Sequence, residues 1–422
     1  TQTGELLMPE DINEMLKTAQ PYREWLDNNL QRLQDTQDDD QHTLPEIQGD
    51  ELEVFEKMFG VSFEERDQVI RVLGELGQEA VGSMGDDSPF AVMSQKARSL
   101  YDYFRQQFAQ VTNPPIDPLR ENIVMSLETC IGQERNLFEE GEDHAQRVVL
   151  DSPVLTEKLF NHILRLGDND PEYKSYRISL NYQPEIGLEK AIDAICADAE
   201  NAVRNGNVVV ILSDRDISKD TLPVHALLAT GAVHQHLIKA GLRCDANIIV
   251  ETATARDPHH FGVLLGYGAT AIYPYLAYAC LQDLRATKEI QNVEHAELCR
   301  LYRKGINKGL FKITSKMGIS TIASYRGAQL FEIVGLNDAD QLQLAKLAWN
   351  QRKKRDQGGL LKFIHGGEYH AYNPDVIGTL QKAVQGGSYD DYQTYAALVN
   401  ERPAMVLRDL LDVKLADTAL DI

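Results

Sequence analysis

The strongest constraint on this chain is a repeated pair of patterns that fills its middle. Val208–Leu212 is an unbroken apolar run rich in β-branched residues, and an apolar helical pattern follows from Val224 to Ala240. The pair recurs as Asn247–Val250 with Phe261–Leu265, as Ala269–Tyr273 with Leu298–Lys316, and as Ile319–Ile322 with Ala328–Val334. An apolar strand without polar alternation has to be covered on both faces, and parallel neighbours need helical crossovers. The fold class is therefore read as α/β: a parallel-sheet, barrel-like βα repeat preceded by a helical N-terminal part. Ligands of such sheets bind beyond the carboxyl ends of the strands. The polar groups after the strands are accordingly expected to face one common surface: Ser213-Asp214-Arg215-Asp216, Glu251 with Arg256, Tyr273, and Ser324-Tyr325-Arg326.

Residues 9–34 open on the helix-start signal Met8-Pro9-Glu10-Asp11 and carry apolar residues at helical spacing, with Pro21 at a break. Gln34 to Asp50 contains Asp38-Asp39-Asp40 and almost no large apolar residue, and reads as a linker. Helical patterns return from Leu52 to about Gly82 and from Met93 to Phe108. In Thr112-Asn113-Pro114-Pro115-Ile116-Asp117-Pro118 the prolines forbid helix and fix an extended path. Glycine pairs interrupt the chain beyond Leu336, and a last helix is expected from about Pro403 to Leu415.

The chain has 422 residues, enough for two or three domains, and 42 basic against 64 acidic side chains give a net charge of -22. That charge repels nucleic acid and anionic membranes. No apolar run reaches the roughly 18–20 residues of a membrane span, and Thr1-Gln2-Thr3 does not open a signal peptide, so a cytoplasmic location is expected. Cys130, Cys196, Cys244, Cys280 and Cys299 are at least 19 residues apart without C-x-x-C pairing. They are expected to be reduced core thiols, and this spacing argues against an iron–sulfur cluster.

The histidines occur as H-x-H, H-H and H-G-G-E-Y-H but never as H-E-x-x-H, so no metal ligands are assigned. Gly266 and Gly268 come after a helix and before a strand, the reverse of a dinucleotide fingerprint, and read as a helix stop. Asp214-Arg215-Asp216 can be either an acid/base pair clamped by a guanidinium or a structural ion network. No nucleophile has the local context of a catalytic Ser or Cys, so no catalytic or cofactor-binding residue is assigned.

Several longer segments carry a resemblance: Leu222–His234, Leu242-Arg243-Cys244, Val250-Glu251-Thr252, Ala255–Phe261, Gly266–Ala269, Gln110–Pro118, Ser213-Asp214-Arg215, Lys316–Ser320 and Ser324–Gln329. Together they closely resemble the large subunit of glutamate synthase. That family makes two glutamates from glutamine and 2-oxoglutarate and passes ammonia through an internal tunnel. The resemblance implies that residues 1–34 are the end of an amidotransferase domain, 35–350 the central domain, and 351–422 the connection into an FMN-binding synthase domain. It also implies that the FMN, the iron–sulfur cluster and the catalytic residues lie outside this chain; the family's nucleophile is an amino-terminal cysteine, whereas Thr1 stands first here. After Asp338 the family pattern continues with a loop that is missing before Ala339.

The implied role is a non-catalytic coupling module whose partners are the amidotransferase and FMN-binding domains of the same polypeptide, with a small NADPH-oxidising subunit or ferredoxin as electron donor. The tunnel or interdomain candidates are Thr112, Asn113, Asp214, Arg215, Glu251 and Arg256, with Asp214, Arg215 and Arg256 expected to form one hydrogen-bonded ionic network. The competing reading is an autonomous barrel-like enzyme that holds a phosphorylated or flavin ligand with Arg215, Arg256 and Arg326.

Overall fold

A computed structural model of the chain describes residues 4, 6–33, 46–81, 87–107, 115–120, 122–335 and 354–411. The chain begins with α1 (Pro9–Thr18), α2 (Tyr22–Asn29), β1 (Leu30–Leu33), α3 (Gly49–Met58) and α4 (Arg71–Leu76), the last continuing a π-helical turn over Glu65–Ile70. Next come β2 (Phe104–Gln106), β3 (Thr129–Ile131) and β4 (Arg147–Leu150). The alternating part then runs α5 (Glu157–Asn169), β5 (Ser175–Ser179), β6 (Asn181–Tyr182), α6 (Leu188–Arg204), β7 (Val209–Ser213), β8 (Leu222–Pro223), α7 (Ala226–Lys239), β9 (Asn247–Glu251), α8 (Pro258–Gly266), β10 (Ala271–Tyr273), α9 (Tyr275–Ala286), α10 (His295–Lys316) and α11 (Ile322–Tyr325). β11 (Phe331–Ile333), α12 (Pro374–Gly386) and α13 (Tyr389–Asn400) complete the order.

The central sheet has the order β10-β9-β7-β5, every pair parallel. Each strand neighbours the next one in sequence, and α6, α7 and α8 pack side by side. This single direction of winding, with crossovers on one face, is the sense of a βα barrel, and it bears out the predicted α/β class. β7 and β9 are buried at every residue, which is why they read as continuous apolar runs. Register aligns Ser179, Ser213, Glu251 and Tyr273 in one row at the carboxyl ends, and that row positions the candidate site.

Several expected elements differ. Ile319–Ile322 is not a strand: Thr321 makes a single parallel bridge to Ser126, and Ile322 starts α11. Ala328–Val334 is not a helix, because Gly327 and Gln329 take positive φ and the chain then pairs antiparallel with β2 as β11. Met93–Phe108 is not one helix either; the Asp102 carboxylate accepts from the Ser99 N–H and caps a 3-10 turn at Leu100–Tyr103, and β2 follows. Of the helix expected from Pro403 to Leu415, the described part up to residue 411 holds a 3-10 turn, Leu407–Leu410, and the rest lies outside the described residues. Cys130 and Cys244 are exposed rather than core thiols, while Cys196, Cys280 and Cys299 are buried. Most of the supposed linker lies outside the described residues, but Ile47 at its end is in the core.

Residues 354–373 are clamped to the N-terminal part by two buried carboxylates. Glu64 accepts backbone N–H groups of Gly359 at 2.5 Å and Leu360 at 2.6 Å, and Glu368 accepts from Arg98 at 3.2 Å.

Candidate functional site

A polar chain starts just past the row of strand ends and stays buried. Asp214, wholly enclosed, accepts from Thr252 Oγ1 at 2.5 Å, Tyr275 Oη at 2.8 Å and the Ala253 N–H at 3.0 Å. Thr252 and Thr254 share a hydrogen bond at 2.8 Å, and Thr254 shares another with Tyr101 Oη at 2.9 Å. The Tyr101 ring stacks on His260 at 4.4 Å and meets His225 edge-on at 4.9 Å. Burial is the main reason the Asp214 carboxyl is pushed up to about 7, against the pull of its three donors. The folded state thus holds this proton more tightly than the unfolded chain, and stability declines as pH rises from about 4 to about 7. Asp214→Asn, which keeps the acceptor and removes the charge, is expected to be more stable than the parent chain above pH 7 by roughly 4 kcal/mol at most, with the gain vanishing near pH 4. Urea unfolding at the two pH values checks this; an equal loss at both would show that the carboxyl's shape matters, not its proton.

The arginines find carboxylates from other segments. Buried Glu251 takes Arg215 Nη1 at 3.3 Å on Oε1, and its Oε2 lies 2.8 Å from Arg177 Nη2 as an ion pair without hydrogen-bond alignment. Arg215 also donates to Glu46 at 2.9 Å and lies over the Tyr275 ring at 5.4 Å. Arg256, 4% exposed at its side chain, donates to Glu65 at 2.6 Å and to the Ala253 carbonyl at 2.9 Å.

The expected single network of Asp214, Arg215 and Arg256 is therefore corrected. Asp214 is served by hydroxyls and a backbone amide, while both guanidiniums are drawn away by Glu46 and Glu65; Asp214 meets Arg256 through Ala253, whose N–H goes to Asp214 and whose carbonyl takes Arg256, and meets Arg215 through Tyr275, whose hydroxyl donates to Asp214 and whose ring lies under the guanidinium. Arg215→Ala should cost less stability than Arg256→Ala, because Arg177 still neutralises Glu251 and Glu46 is 83% exposed. Thermal melts of the two variants compare them directly.

Arg326 does not join the others. It lies at the opposite end of the sheet, among Asn247 and Thr270 at the strand starts, because α11 replaces the strand expected before it. Thr112 and Asn113 lie outside the described residues. Sequence reading missed Glu46, Glu65, Arg177, Tyr101 and Tyr275; the two acids stand 169 and 191 residues from the arginines they hold, and no local pattern signals that.

The strand-end residues do not fit an FMN, and the described residues do not fit an iron–sulfur cluster. The strand-end cations that would hold a phosphate already have carboxylates, and among the described residues no three His, Cys, Asp or Glu groups could hold a metal ion. Cys280 Sγ bonds to Glu56 at 3.5 Å, Cys299 Sγ lies 3.4 Å from His295 Nε2, and Cys130 is exposed on β3.

Fold and site together define an α/β scaffold whose strand ends are closed by its own N-terminal segment. The family model described as "Glutamate synthase central domain" matches residues 55–337, and the chain belongs to this family. It is 37% identical over 453 aligned positions to "Ferredoxin-dependent glutamate synthase, chloroplastic" of Oryza sativa subsp. japonica, covering 98% of this chain and 28% of the relative. To "Glutamate synthase [NADPH] large chain" it is 36% identical in Bacillus subtilis (strain 168), covering 97% of this chain and 28% of the relative. The Azospirillum brasilense protein of the same name is also 36% identical, with 98% and 29% covered. The chain thus spans less than a third of the length of these relatives. The 453 positions aligned with the rice protein exceed the 422 residues here, so that relative carries residues this chain lacks; the Asp338–Ala339 junction lies outside the described residues.

Proposed function

We propose that this chain is the non-catalytic central module of a glutamate synthase, which holds the glutaminase and FMN-dependent synthase parts in register and borders the path taken by ammonia. The parent reaction converts glutamine, 2-oxoglutarate and reductant to two glutamates in the cytoplasm, with electrons from a small NADPH-oxidising subunit or from ferredoxin. The observation that carries this reading is the closure of the strand ends: Arg215 and Arg256 are neutralised by Glu251, Glu46 and Glu65 of the same chain, so the place where a βα sheet usually takes its ligand is filled by structure. It also weighs against the autonomous enzyme, which needs those guanidiniums free.

Thr112 and Asn113 are the tunnel candidates, on the resemblance. A neutral amide suits ammonia, since it donates and accepts without protonating the passenger, whereas a carboxylate would stabilise ammonium, a poor nucleophile. In the intact enzyme, Asn113→Asp is expected to lower glutamine-dependent glutamate synthesis by about tenfold, a barrier increase of roughly 1.4 kcal/mol. Synthesis from added ammonia should stay near the parent rate. Equal loss of both activities, or no loss, would remove Asn113 from the path.

A further inference from the structure

At the end of the sheet opposite the closed strand ends, β3, the starts of β9 and β10, and α11 enclose a cavity of about 310 Å³. Arg147 and Arg326 both line it. Elsewhere in this acidic chain, buried guanidiniums sit on carboxylates: Arg66 on Glu56, Arg98 on Glu368, Arg256 on Glu65 and Arg303 on Asp151. The Arg147 guanidinium has no ion pair or hydrogen bond among the described residues. The nearest carboxylate to Arg326, that of half-exposed Glu134, is 3.7 Å away, and Glu128 on the rim is held by Arg32 at 2.9 Å.

Two further features bear on these cations. Gly132 has a φ of +142°, and a Cβ there would come within 3.0 Å of Arg147 Cδ and 3.4 Å of its Nη1, so a glycine leaves the space that this side chain occupies. Near Arg326 lies Arg243, whose side-chain hydrogen bonds among the described residues go to His234 Nδ1 and the carbonyls of Ala246 and Gly268. Burial and then the charge of Arg326 hold Arg243 down to about 10, and burial with both arginines keeps His234 neutral, down to about 4. Glu134 stands 3.7 Å from Arg326 and Glu128 is held by Arg32, so Arg147, Arg243 and Arg326 leave an excess of positive charge here that an anion from outside relieves.

We propose that this cavity binds a small organic anion, a metabolite bearing a carboxylate or phosphate, with Arg147 and Arg326 gripping its charged end. The planar guanidinium fork matches either group bidentately. Leu265, Ile322 and Ala323 supply an apolar wall for a short carbon skeleton, and the volume lies at the lower end of the range for small-molecule sites. This site is independent of the role proposed above.

The test is calorimetric titration of the 422-residue chain with succinate and, separately, inorganic phosphate, against sodium chloride at equal ionic strength. Saturable binding with a Kd on the order of 1 mM is expected for at least one probe, and their ratio tells a carboxylate site from a phosphate site. Arg147→Gln and Arg326→Gln should each weaken it about tenfold, whereas Arg204→Gln on α6 should not. Exposed Cys130 lines the same cavity, so the bound probe should slow its alkylation by iodoacetamide in the unmutated chain, a readout that survives if a variant does not fold. Binding equal to that of chloride, undiminished binding in both variants, or unprotected Cys130 at saturating probe would overturn the proposal.

Discussion

Arg256→Ala is expected to lower the unfolding free energy by about 3–5 kcal/mol, the cost of leaving one member of a buried ion pair alone. Arg256 is enclosed, its Nε donates to Glu65 at 2.6 Å, and its Nη1 donates to the carbonyl of Ala253, the residue whose N–H supports Asp214. Truncation would strand the Glu65 carboxylate, free the Ala253 carbonyl and loosen the π-helical turn that carries Glu65 over the strand ends. The loss belongs to the broken pair rather than to charge itself, so Arg256→Met combined with Glu65→Leu should recover most of it. Denaturant unfolding of the single and double variants checks both statements. If Arg256→Ala melts like the parent chain, Arg256 does not fasten the N-terminal part to the sheet.

The second large effect is acid lability centred on His260. Burial first, and the neighbouring Arg256 charge second, hold this imidazole down to about 3, and the partly enclosed His225 is shifted the same way for the same leading cause. Both rings are neutral in the folded protein, where His260 Nδ1 accepts the Arg256 N–H and His225 Nδ1 accepts that of Leu227. The unfolded chain takes up these protons below about 6.5, so the stability they protect is complete above that pH and is lost as pH falls toward 3. His260 alone accounts for roughly 4–5 kcal/mol over that window, at about 1.4 kcal/mol per pH unit. Asp214 acts in the opposite direction over part of the same range and softens the loss. His260→Gln should move the acid-unfolding midpoint, followed by circular dichroism, to lower pH; an unmoved midpoint would mean that other groups drive acid unfolding.

What could be read in advance follows from how local the controlling physics is. β7 and β9 were legible because strands buried on both faces leave a dense β-branched run, and the residues just after them, Asp214, Arg215, Glu251 and Arg256, were placed correctly at the carboxyl ends. β5 was missed because an edge strand with three exposed or half-exposed polar positions has no such run. α9 was missed for the opposite reason: it is buried from Tyr275 to Gln282, so no amphipathic stripe marks it. The partners at the site were beyond reach, since Glu46 and Glu65 meet their arginines only through the tertiary fold. The misplacement of Arg326 follows from one error of element type, the β-branched residues of Ile319–Ile322 taken for a strand when only Thr321 finds a bridge.

The closed strand ends predict that this chain is a scaffold without a flavin of its own. The direct measurement is equilibrium dialysis of the purified chain against FMN, read by flavin absorbance. Retention no greater than for a control protein, and no ammonia released from glutamine by the same preparation, is the predicted result. One equivalent of FMN bound tightly, and lost when Arg215 or Arg256 is replaced in a variant that still folds, would contradict it.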